Sequence, residues 1–75
     1  MFSYAIRNFA DEKAFEKACS IVEMLLKRFN KKELLVDVDG SKIQFYEDDS
    51  GRMVKVYNDH EIDAVYIDSD VEMCL

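Results

Sequence analysis

Proline is absent from this chain, glycine occurs only at positions 40 and 51, and histidine only at position 60. With no proline-, glycine- or serine-rich stretch there is no linker at which the 75 residues could divide, and a chain this short builds one hydrophobic core. Residues 1–75 are therefore expected to form a single domain. The glycines cannot supply a nucleotide fingerprint: there is no GxGxxG, no P-loop and no HExxH. His60 stands between Asp59 and Glu61 in a turn-like stretch, where a solvated turn residue explains it better than proton transfer.

Cysteine is equally sparse. Cys19 and Cys74 are far apart, with no CxxC and no histidine nearby, so neither a disulfide framework nor a zinc site is expected. Long hydrophobic runs are also missing. Ala64-Val65-Tyr66-Ile67 is typical of the longest, far below the roughly 18 residues a membrane span needs, and no signal-like segment follows Met1. A cytoplasmic chain is expected.

Basic charge is missing from one region. Residues 1–29 balance Arg7, Lys13, Lys17, Lys27 and Arg28 against four acids, but from Asp59 onward there are six carboxylates and neither Lys nor Arg. The net charge is −6. Such a field repels nucleic acid and anionic membrane and favours basic protein partners.

Helical periodicity is present over residues 11–29. At 100° per residue, Ala14, Phe15, Ala18, Cys19, Ile21, Val22, Leu25, Leu26 and Phe29 fall within an arc of about 160°, with charged residues on the rest. Asp11 or Asn8 would cap the start and Asn30 the end, leaving Lys27 and Arg28 beside the negative end of the helix dipole. Cys19 at the margin of this arc reads as a packed thiol. Residues 2–7 alternate as a strand (Phe2, Tyr4, Ile6), a short separate helix being the alternative. One unbroken helix from residue 2 would turn Phe2, Ile6 and Phe9 to solvent.

Beyond Lys32 the period becomes two, punctuated by turn residues. Asp39-Gly40 as a two-residue hairpin turn sets Val36 against Ile43 and Leu34 against Phe45. Asp48 to Gly51 as the next turn sets Glu47 against Arg52, and Asn58-Asp59-His60 sets Lys55 against Asp63. The expectation is an α+β fold of order β-α-β-β-β-β, with one amphipathic helix on an antiparallel meander of strands 33–38, 42–47, 52–57 and 61–67. The first strand would join the edge beside 33–38 through a right-handed crossover. The covered face would be Leu34, Val36, Val38, Ile43, Phe45, Val54, Val56, Ile62 and Ala64.

The same registers place Leu35, Tyr46, Met53, Val65 and Ile67 on the far face. Either the C-terminal segment 69–75 folds over this stripe, or the first segment does, or a partner does. These five residues are the candidate partner-binding site. Catalytic, cofactor-binding and metal residues are not expected. Aligning Gly40 with the sixth position of a calcium loop puts Leu35 and Tyr46 where the ion needs carboxylates, and Asp68, Asp70 and Glu72 alternate as acidic tails commonly do. The chemistry points to a small acidic, non-catalytic protein-binding module of regulator or inhibitor type, without nucleic-acid or membrane partners. The alternatives are a homodimer packed through the far face and a weak ligand or divalent-metal binder.

Overall fold

The computed structural model describes residues 1–75 as β1 (Phe2–Arg7), α1 (Glu12–Leu25), β2 (Asn30–Val36), β3 (Lys42–Glu47), β4 (Met53–Asp59) and β5 (Ala64–Ser69). The fold is α+β, with the expected element order and the helix packed on one antiparallel sheet. Residues 2–7 form a strand, not a short helix. No helix is long and apolar enough to cross a membrane.

The helix starts where its cap dictates. Asp11 is extended and accepts the Lys13 backbone N–H at 3.2 Å, meeting a donor the first turn cannot satisfy internally. The buried Asn58 on β4 accepts the Asp11 N–H at 3.1 Å and pins this end to the sheet. The other end corrects the expectation. Regular helix stops at Leu25, after which the chain turns, with the Leu26 N–H on the Val22 carbonyl and the Phe29 N–H on the Leu26 carbonyl. Leu26 and Phe29 still pack on the core, so the apolar period outlasts the helix, and Lys27 and Arg28 lie beyond its last turn.

The sheet order is β1-β5-β4-β3-β2. β1 is therefore not beside β2; it pairs antiparallel with β5 at the opposite edge, Tyr4 against Ile67. The helix runs along the strands, with Glu12 beside Lys42 and Asn58 and Glu23 beside Tyr46, so the segments before and after it carry the chain from one edge to the other. Tyr4 fastens this arrangement, its hydroxyl accepting the Met73 N–H at 2.8 Å. The C-terminal segment therefore folds over the helix side of the sheet, where Met73 is buried and Val71 packs.

All three hairpin registers differ from those expected, the first two for one reason. Asp39 does not adopt positive φ, so Asp39-Gly40 is not a two-residue type I′ turn, which needs positive φ at both positions. Instead the Gly40 N–H donates to the Asp37 carbonyl and the Asp37 N–H to the Ser41 carbonyl, enclosing residues 38–40 in a three-residue loop with Gly40 at φ +88°. Asp48 to Arg52 repeats this loop, with Gly51 at φ +86°. Leu35 consequently faces Ile43, and Phe45 faces Lys55. The third connection runs through residues 60–63, with Asp63 at φ 56°, and sets Val56 against Ile67.

A slip by an odd number of residues, one at each of the first two turns and five at the third, turns every side chain of a strand over. On β3, Gln44 and Tyr46 point to the helix in place of Ile43 and Phe45; on β5, Val65 and Ile67 do so in place of Ala64. Ile62 sits exposed in the third turn. The core combines Ala14, Phe15, Ala18, Cys19 and Val22 of α1 with Tyr46, Val54, Val56, Val65, Ile67 and Met73. Each fully enclosed Val or Ile contributes about 1.5–3 kcal/mol. Burial raises the Cys19 thiol pKa, although the Tyr46 hydroxyl opposes this.

Candidate interaction surface

The face away from the helix is now defined by register. Directly opposed residues share a face, so Leu35, Ile43, Tyr57, Tyr66 and Ala5 form one row across all five strands. Tyr57 and Tyr66 stack in its middle, with centroids 4.5 Å apart and planes 9° apart. A second row holds Phe45, Lys55, Asp68 and Ser3. In it the Lys55 ammonium lies over the Phe45 ring at 5.9 Å, and Ser3 donates to Asp68 at 2.6 Å. Met53, opposite Glu47, closes the patch. The helix and the C-terminal segment both lie on the other side, so no element of the chain covers these aromatics.

Of the five residues expected on the outer stripe, Leu35 and Met53 are there. Tyr46, Val65 and Ile67 are instead at most 1% exposed beneath the helix, so the stripe as expected is not formed. Ile43, Phe45, Tyr57 and Tyr66 replace them. The signal that could have found them is the shared Asp-x-x-Gly spacing of Asp37–Gly40 and Asp48–Gly51. Aspartate opening a type I turn and glycine at its fourth position is the chemistry of a three-residue loop.

Carboxylates flank this apolar row. Leu35, Ile43 and Tyr57 floor a depression of about 140 Å³ rimmed by Asp37, Asp39, Asp59 and Glu61. Backbone donors fix three of the four. Asp37 accepts the Val38 N–H at 2.7 Å, Asp39 the Ser41 N–H at 2.9 Å, and Asp59 the Glu61 N–H at 2.9 Å. None of the four belongs to an ion pair, and the one lysine at the rim, Lys42, turns its ammonium to Glu12 at 2.5 Å.

The field reaches the tyrosines. Burial, reinforced first by Asp59, pushes the Tyr66 phenol up to about 12; burial followed by Asp68 and Asp59 raises Tyr57. The Asp39 carboxyl is lowered by the hydrogen bonds from the Ser41 backbone and hydroxyl, with a smaller contribution from His60.

Two other surfaces flank the helix. Strand β2 is a free edge on which Leu34, Leu35 and Val36 are exposed, the helix packing chiefly against β4, β5 and β1. A bulge between Lys31 and Leu34 interrupts this edge, held by the buried Gln44 amide donating to the Lys32 and Glu33 carbonyls at 2.9 and 3.1 Å. Bulges and lysines blunt an edge against strand addition. At the far end of the helix, Leu25, Leu26, Phe29 and Val71 line an open groove beside Arg28 and Arg52. Arg52 is committed to Asp48 at 2.8 Å.

Reactive groups do not gather at any of these places. Cys19 is buried in the helix, Cys74 is exposed near the chain end, and His60 sits against Gly40 in a turn. Asp68 and Asp70 serve Ser3 and the Met53 N–H separately, and no three His, Cys, Asp or Glu side chains are grouped to hold a metal ion. No family model matches the chain, and no curated protein or solved structure matches it.

Proposed function

We propose that this chain is a non-catalytic protein-binding module of regulator or inhibitor type, and that its interface is the outer sheet face centred on Ile43, Tyr57 and Tyr66. The observation that carries this reading is the apolar row spanning five strands, with Tyr57 and Tyr66 stacked in its middle and nothing of the chain above it. Contiguous apolar surface of this kind marks interaction sites, and tyrosine supplies contact area at low entropic cost. The carboxylates beside the row disfavour phosphate-rich ligands such as nucleic acid and anionic membrane. They also disfavour a second copy packed face to face, which would oppose like charges.

The test compares complexes formed in native extract by the wild-type chain, Ile43→Lys, Met53→Lys, and a control change on the exposed face of α1, Lys17→Glu. A partner lost with the two sheet-face variants and kept with the control is the expected result, provided both variants melt cooperatively. Retention of every complex by Ile43→Lys and Met53→Lys rules this face out. Light scattering over a range of concentrations should give a monomer; a dimer abolished by Ile43→Lys would assign the face to self-association instead.

A further inference from the structure

We propose that the outer sheet face receives a cationic amphipathic helix of a partner protein, an inference that rests on that face being the interface. The shape of the patch argues for a helix. Its apolar part centres on one row, Leu35, Ile43, Tyr57, Tyr66 and Ala5, running across the strands, with Phe45 and Met53 beside it. A row across five strands is about 19 Å long, which three to four helical turns match. A partner helix with a narrow apolar stripe would lie along the row with charged residues on both flanks.

The flanking charges specify the sign. On one side stand Asp37, Asp39, Asp59 and Glu61, unmatched by any cation whose charge is free. On the other stand Asp68 and Glu47 with Lys55, which lies over Phe45, while Lys32 and Glu33 sit in the bulge at the β2 edge. Lysine or arginine on the helix flank would meet Asp37, Asp39 and Asp59 already held in place by backbone N–H donors, so little further ordering of these is needed on binding. The stacked Tyr57 and Tyr66 rings offer a cation a π face beside those carboxylates. A second copy of this chain cannot supply such a helix from α1, whose exposed face mixes Glu12, Glu16 and Glu23 with Lys13 and Lys17.

The test uses three synthetic amphipathic peptides of the length of α1, built from leucine with lysine, glutamine or glutamate, titrated into the isotopically labelled full chain and followed by backbone amide shifts. The expected result is that the leucine–lysine peptide shifts Leu35, Ile43, Tyr57 and Tyr66, that the glutamate peptide does not bind, and that raised salt weakens binding. The triple variant Asp37→Asn, Asp39→Asn, Glu61→Gln keeps the capping acceptors and removes three charges; it should bind the lysine peptide about tenfold or more weakly. Equal binding of the lysine and glutamine peptides, or no loss in the triple variant, overturns the cationic partner while leaving the face as an interface. Shifts confined to α1 or to the groove at Phe29 overturn the helix-docking inference. If Ile43→Lys still abolishes the native complex in that case, the proposed function stands without it.

Discussion

Removing one oxygen atom from Tyr46 tests the register on which the whole surface assignment depends. The Tyr46 ring is 1% exposed, and its hydroxyl donates to Glu23 Oε2 at 2.7 Å and lies 3.4 Å from the Cys19 carbonyl. Tyr46→Phe leaves the ring in place and deletes that bond without opening a sizeable cavity. A hydrogen bond to a charged acceptor contributes about 1.5–3 kcal/mol. Because the Glu23 side chain is 45% exposed and can turn to water or to Lys31 at 3.6 Å, the lower end applies, about 1.5 kcal/mol. For a domain of this size that corresponds to a drop of about 6–12 °C in Tm.

The pH dependence supplies an independent check. Burial, then the Glu23 and Cys19 contacts, hold the native Tyr46 phenol well above its usual value. This contribution is fully present below the unfolded tyrosine pKa of about 10 and is lost as pH rises towards the native value. The stability gap between wild type and Tyr46→Phe, measured by urea unfolding, should therefore narrow above about pH 10. Phe45→Leu, on the outer face, should cost less than about 1 kcal/mol. A neutral Tyr46→Phe together with a costly Phe45→Leu would show that β3 presents its odd-numbered residues to the helix, the reverse of the register described.

Two further outcomes follow from local geometry. Gly40→Ala and Gly51→Ala should each lower stability by about 1–2 kcal/mol, because alanine resists positive φ. At Gly40 the added Cβ meets nothing closer than His60 Nε2 at 3.7 Å, so the cost is conformational and thermal melts of the alanine and asparagine variants should rank asparagine as the milder change. With a thiol-reactive chromophore, the exposed Cys74 should react at once, and the buried Cys19, its pKa raised mainly by burial, on the order of a hundredfold more slowly until urea is added. Two equally fast phases would contradict the packing of α1.

Several features of this protein were set by the chain's own pattern. The period of 3.6 over Ala14–Val22, with Asp11 before it, determined an amphipathic helix and its start, because those signals involve neighbours a few residues apart. The switch to a period of two, with glycine at 40 and 51, determined a meander and its turns. The acidity of the C-terminal third and the presence of more apolar groups than one helix can cover were likewise local properties. Tertiary structure decided which apolar groups these were. Register turns on a single residue of loop length, and Ile43-Gln44-Phe45-Tyr46 offers an apolar residue to either face, so composition could not choose between them. The left-handed glycines in two matching three-residue loops did choose, drawing Tyr46 under the helix and leaving Phe45 outside. The partner of β1 was decided in the same way, by Tyr4 meeting Ile67 and Met73. These contacts join residues more than sixty positions apart, which no local period encodes.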